Sequence, residues 1–200
     1  MSKRTVPTAL LVLGVCCLFT ACSSSKNMHT SSDPNTRYRA ALSETDPSQF
    51  SLPESGSPEE AQMLDGVRQF FSEYTRSSID ANIDSVYAEN LYFRDAFRQF
   101  DNRDAVQAYL VNGLEPLDQA EFQINRIISQ NGEYYIDWLM RLDFKKTPKG
   151  TWEESIGMTH LRFNDAGKVI FHQDYWDPTD IVYRRIPVAK QLIAYAQGKM

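Results

Sequence analysis

The second half of this chain carries four strand-like segments joined by turns too short to hold a crossover, and that run constrains the fold more than any other feature. Residues 121–128 alternate apolar and polar side chains, Asn131-Gly132 is a two-residue hairpin signal, and residues 134–144 return. Pro148-Lys149-Gly150 turns the chain again, and residues 152–163 form the next strand. Asn164-Asp165-Ala166-Gly167 then leads into residues 168–176, rich in β-branched and aromatic side chains. Neighbours connected this tightly pair antiparallel, because a parallel return needs a dozen or more residues.

Helical signals come before the strands. Ser57 is an N-cap, Pro58 suits the first helical position, and Glu60 completes a capping box. Met63, Val67, Phe70, Phe71 and Tyr74 then recur on one helical face. A short second helix fits residues 79–86, residues 90–95 read as a strand, and Asn102 caps a third helix through Val106, Tyr109 and Leu110. Pro187 opens a C-terminal helix bearing Val188, Leu192, Ile193 and Tyr195. Its short length and its Lys190, Gln191, Gln197 and Lys199 predict packing on the domain instead of dipping into a membrane. Helices first and sheet afterwards predict an α+β fold in which three N-terminal helices cover one face of a curved antiparallel sheet.

Alternation along the last strand puts His172, Asp174 and Trp176 on one side and Phe171, Gln173 and Tyr175 on the other. An imidazole, a carboxylate and an indole in a row suit the wall of a polar-tipped pocket. The first two can serve as a base and its orienter, or as acid and base on a bound molecule. They can equally be a structural pair closing the pocket mouth, since buried polar groups find partners. A metal would need a third ligand, but His160 points to the opposite face and His29 lies far N-terminal, so neither metal nor cofactor is expected.

The N-terminus has a different character. Lys3 and Arg4 precede an apolar run over residues 6–19, and Phe19-Thr20-Ala21-Cys22 places small residues before a cysteine. The segment resembles a bacterial lipoprotein signal, which implies lipidation of Cys22 and anchorage in the cell envelope, facing the periplasm from the outer membrane. Residues 1–22 are then a signal peptide, residues 23–56 a disordered Ser- and Pro-rich tether, and residues 57–200 the domain. All three cysteines, Cys16, Cys17 and Cys22, fall in the signal, so thiol catalysis is not expected of the domain. The net charge of −5 with scattered basic residues argues against nucleic acid as a partner.

The order helix, helix, strand, helix and long sheet, with Phe93-Arg94-Asp95 after the second helix and a run from Arg162 to Val169 before the last strand, resembles the nuclear transport factor 2-like superfamily. The SnoaL-like and ketosteroid isomerase-like branch is the nearest. The resemblance spans roughly residues 60–180 and implies a cone enclosing one apolar cavity. It also implies homodimers through the outer sheet face, here Gln123, Asn125, Asp137, Leu139 and Arg141. Asp95 falls where the isomerases keep an aspartate base, although it can also cap the turn over residues 96–101. The oxyanion-hole positions read as Phe71 and Thr159, which removes the donors of the known steroid isomerisation.

The same register makes Asp95, His172 and Asp174 the candidate catalytic groups and Phe71, Phe93, Trp138, Met140, Thr159 and Trp176 the pocket wall. The implied function is binding of a small apolar or amphipathic ligand, with acid/base chemistry of isomerase or cyclase type as one reading. A non-enzymatic binding or dimerisation module of the envelope is the other. The residues leave both open.

Overall fold

The computed structural model describes residues 33–198. In chain order the elements are α1 (Pro34–Glu44), α2 (Pro58–Ser72), α3 (Arg76–Val86), β1 (Tyr87–Arg94), β2 (Gln99–Asn102), α4 (Arg103–Gly113), β3 (Leu117–Gln130), β4 (Glu133–Phe144), β5 (Trp152–Phe163), β6 (Val169–Trp176) and α5 (Pro187–Gln197). Single 3₁₀ turns lie at Pro47–Gln49 and Tyr183–Arg185.

Side-chain caps set the starts of the three covering helices. Ser57 Oγ accepts from the Glu60 N–H at 3.1 Å, Thr75 Oγ1 from Ser78 at 3.1 Å, and Asn102 Oδ1 from Ala105 at 2.9 Å. The capping box at α2 is displaced by one residue. Glu60 Oε2 accepts from the Gly56 N–H at 2.7 Å, while the Ser57 N–H goes to Glu54 O. Between β3 and β4 the turn takes Asn131 to φ 53° and Gly132 to φ 78°, the left-handed pair that suits the strand twist. A Cβ on Gly132 would also lie 2.5 Å from Cβ of Pro47, so only glycine allows the 3₁₀ turn to rest there.

The six strands form one sheet in the order β2-β1-β6-β5-β4-β3. All neighbours are antiparallel except β1 and β6, which run parallel. An all-antiparallel sheet therefore does not hold. β1 and β6 are separated by α4 and four strands, ample length for a parallel return. β2 is four residues long, too short to show a period in sequence.

One face of the sheet packs on the helices. Val67 and Phe70 of α2, Ile79 and Ile83 of α3, and Val106 and Leu110 of α4 close on Phe93, Ile136, Trp138, Met140, Leu161 and Phe163 in a single core. Each large side chain so buried contributes about 1.5–3 kcal/mol.

The opposite face carries a correction. The tether expected over residues 23–56 is instead folded from Pro34 onward, and α1 lies against β1 and β6. Ala41 is fully buried, and the Tyr38 ring sits 6.3 Å from Tyr92 and 6.0 Å from Phe171. Arg162 Nη1 donates to Leu42 O at 2.6 Å and to Thr45 Oγ1 at 3.2 Å, and the Ser51 N–H donates to Asp165 Oδ1 at 2.5 Å. The segment has too few apolar residues to fold alone, but the sheet's second face supplies the partner surface. The segment expected to be a signal peptide, Cys22 and the first part of the expected tether lie outside the described residues.

The C-terminal helix departs from expectation too. No residue of α5 is buried, and Val188 and Leu192 are 67% and 63% exposed. The packing position on the domain is taken by the preceding segment, where Ile181 is fully buried and Val182 joins the core. Among the described residues no helix is long and apolar enough to cross a membrane.

Candidate functional site

A cavity of about 360 Å³ opens between the sheet and helices α2 and α4. Phe71 and Tyr74 come from the end of α2 and the residues after it, Tyr109 from α4, Phe93 from β1, and Asp95 and Phe97 from the turn that follows. The sheet adds Phe122, Trp138, Met140, Thr159, His172, Asp174 and Trp176. Every candidate catalytic and pocket residue of the sequence pattern lies on this one wall: Asp95, His172 and Asp174 with Phe71, Phe93, Trp138, Met140, Thr159 and Trp176. Strand alternation puts them there, since β6 turns its even-numbered residues inward and Phe171, Gln173 and Tyr175 outward beneath α1.

Register then connects the polar groups. Thr159 and Asp174 are direct partners across β5 and β6, and Phe93 and His172 across β1 and β6. Trp138 Nε1 donates to Thr159 Oγ1 at 2.8 Å, and Thr159 donates in turn to Asp174 Oδ1 at 2.5 Å. His172 Nε2 meets the same Oδ1 at 2.9 Å, and its Nδ1 meets the Tyr87 hydroxyl at 3.0 Å. With a carboxylate as acceptor, Nε2 is the donor to Asp174, and in the tautomer that carries its proton there Nδ1 accepts from Tyr87. Burial first, and then the Asp174 charge, pushes the Tyr87 phenol well above its ordinary range, so it stays a donor. The imidazole also stacks on Phe93, with ring centroids 4.5 Å apart. Both His172 nitrogens are therefore occupied, and the residue acts as an orienter of Asp174. Among the described residues no hydrogen bond ends on Asp174 Oδ2.

Asp95 performs two tasks at once. Its Oδ1 accepts from the Phe97 and Arg98 N–H groups, each at 2.8 Å, and so caps the turn after β1. Its Oδ2 accepts a short bond from the Tyr109 hydroxyl. Burial and then this bond raise the Tyr109 phenol far above its usual range. Tyr74 is raised by burial first and then by the Asp174 and Asp95 charges. Both carboxylates act on the same two phenols.

No hydrogen bond within the described residues ends on the Tyr74 hydroxyl, so a neutral phenol is offered to the cavity. The sequence offers Tyr74 as a candidate for the cavity lining or the core, but does not single out Tyr87 or Tyr109 as site residues. The one available signal for Tyr109 is that it falls on the apolar face of its helix. At the two oxyanion positions the donors are indeed missing: Phe71 stacks on Tyr74 at 6.3 Å, and the Thr159 hydroxyl is spent on Asp174. His160 lies on the outer face against Glu133, and no group of three His, Cys, Asp or Glu side chains among the described residues could hold a metal ion.

A curved sheet wrapped around one cavity, closed by helices that precede the long strands, defines the nuclear transport factor 2-like fold. The chain belongs to the SnoaL-like domain family, whose model matches residues 67–172. Among solved structures it is similar to an LEH-like epoxide hydrolase from M. tuberculosis, at 16% identity and TM-score 0.51 over 62% of this chain and 85% of that one. It is also similar to a protein provisionally described as a SnoaL-like polyketide cyclase from Jannaschia sp. CCS1, at 15% identity and TM-score 0.51 over 64% and 93%. A third similar structure is an NTF2-like protein of unknown function from Burkholderia pseudomallei K96243, at 11% identity and TM-score 0.52 over 60% and 94%. Identities this low speak to the fold alone. No curated protein matches the chain.

Proposed function

We propose that this protein is a lipid-anchored, periplasm-facing envelope protein whose cone holds a small apolar or amphipathic molecule and performs acid/base chemistry on its polar end. The observation that carries the reading is a cavity of about 360 Å³ with aromatic walls, in which Asp174 Oδ2 and the Tyr74 hydroxyl have no hydrogen-bond partner among the described residues. That volume falls within the roughly 300–1,000 Å³ of small-molecule sites. In chemistry of isomerase or cyclase type, Asp174 Oδ2 takes a proton from the bound molecule. His172 holds the carboxylate through Oδ1, and a neutral phenol donates where negative charge develops. Asp95, with both oxygens already accepting, is the second acidic group of the same wall.

The test begins with native mass spectrometry of protein purified from the envelope, to identify the co-purifying molecule. Met140→Trp fills the cavity and should lose that molecule while keeping its circular dichroism spectrum; retention would place the ligand elsewhere. An enzyme should also lose turnover of it in Asp174→Asn.

Anchorage rests on Phe19-Thr20-Ala21-Cys22. Cys22→Ser should shift the protein from the membrane fraction to the soluble periplasm, and a variant that stays membrane-bound would make the apolar run itself the anchor. The module reading is favoured by one observation on the outer sheet face. Ile156 is 71% exposed beside its register partner Leu139, a position suited to self-association.

A further inference from the structure

The charge of the cavity wall is one-sided. Among the described residues it contains the carboxylates of Asp95 and Asp174 and the imidazole of His172, but neither lysine nor arginine. Arg185 lies over the ring of Phe144 at 3.5 Å, yet it is outside the wall, and its charge is taken by Glu153 at 2.5 Å. The hydrogen bonds of the Asp95 carboxylate are accepted from two backbone N–H groups and the Tyr109 hydroxyl. Asp174 likewise accepts from Thr159 and His172, and its side chain is 18% exposed. Around these two carboxylates stand the rings of Phe71, Tyr74, Phe93, Tyr109, Trp138 and Trp176.

We infer that the cavity is built for an organic cation, a protonated amine carried on an apolar body. The inference rests on the ligand-binding reading of the same cavity and names the class of ligand. Three physical points converge on it. An anionic ligand would bring like charge to two carboxylates with no basic residue to offset it. A neutral apolar ligand would strip water from Asp174 Oδ2 and leave it without a donor, the costly outcome for a charged acceptor. An ammonium group supplies that donor, neutralises charge, and is attracted to the negative faces of the surrounding rings. The imidazole is already spent between Asp174 Oδ1 and Tyr87, and no lysine or arginine among the described wall residues competes for Oδ2.

The experiment uses three probes of nearly equal shape at neutral pH: phenethylammonium, its uncharged counterpart propylbenzene, and the anion 3-phenylpropionate. Binding to the purified domain is read from tryptophan emission, since Trp138 and Trp176 lie in the wall, and Met140→Trp serves to show that the signal comes from the cavity. Phenethylammonium should bind at least about tenfold more tightly than propylbenzene, which corresponds to about 1.4 kcal/mol, and 3-phenylpropionate most weakly. In Asp174→Asn the ratio of the first two affinities should fall toward one. Asp95→Asn should lower it as well, which guards against a poorly folded Asp174 variant. If propylbenzene or 3-phenylpropionate binds as tightly as the amine, the inference falls while the cavity remains a ligand site. If none of the three binds to the wild-type protein, the ligand-binding reading falls with it.

Discussion

The indole of Trp138 lies directly on Gly157, its register partner across β4 and β5, so closely that a Cβ on the glycine would sit 2.3 Å from Cη2 and Cζ2 of the ring. The missing side chain is what lets the indole lie flat on the facing strand, turn Nε1 to Thr159 at 2.8 Å, and form one side of the cavity. A glycine in the middle of a strand usually weakens it. Here it makes room for the largest side chain of the wall.

Gly157→Ala should therefore push the indole out of place and break its bond to Thr159. The overpacking should cost about 1–3 kcal/mol. Urea unfolding would show the lower midpoint, and tryptophan emission would shift as the ring changes environment. A variant with wild-type stability and an unchanged spectrum would contradict the role assigned to Gly157.

Arg162 ties α1 to the sheet. It pairs with both oxygens of Glu133, at 2.6 and 2.8 Å, and donates to the backbone of Leu42. Arg162→Met should leave Glu133 with His160 alone and release α1. Because the Glu133 side chain keeps 26% exposure, the cost should lie near the lower end of the range for broken buried pairs, about 3 kcal/mol. Limited proteolysis should then cut within residues 34–50 of the variant long before it cuts the wild-type protein.

The same outer-face cluster should make stability sensitive to acid in two steps. Burial pulls the His160 pKa below its ordinary 6.5, against the opposing pull of Glu133 and with help from the Arg162 charge. Its folded value is thus lower than its unfolded one. The stability tied to neutral His160 is fully present above about pH 6.5 and is lost as pH falls through the folded value. Burial raises the Glu133 carboxyl, but hydrogen bonds from Arg162 and His160 outweigh it and hold the group below its ordinary 4.5. Its contribution is present above that value and disappears on further acidification. Urea midpoints measured from pH 8 to pH 3 should be level at first, decline below about 6.5, and steepen below about 4.5. His160→Gln should remove the first decline and keep the second.

Self-association through the outer face predicts a specific sensitivity at Ile156. The charged neighbours are already paired, with Arg141 held between Glu121 and Glu154 at 3.0 and 2.9 Å, so apolar contact remains the available driving force. Ile156→Lys should convert a dimer to a monomer in sedimentation at micromolar concentrations without changing the unfolding midpoint of the monomer. A wild-type protein that sediments as one chain would remove the proposal.

The sequence by itself determined what depends on near neighbours. Caps at Ser57 and Asn102, the left-handed Asn131-Gly132 turn, and the period-two alternation that places His172, Asp174 and Trp176 on one face are all local consequences of side-chain chemistry and backbone sterics. The list of wall residues followed from that alternation together with the family shape. Only the tertiary structure decided which atoms of the wall are spent and which are free. Asp95 is consumed by a turn and by Tyr109, whereas Asp174 keeps one oxygen open because Thr159 and His172 both converge on the other. It also decided that residues 34–44 fold, because Tyr38, Ala41 and Leu42 have no apolar surface to bury until Tyr92 and Phe171 meet across β1 and β6. Those outcomes depend on groups far apart in the chain, and pairwise packing at that separation leaves no periodic trace in the sequence.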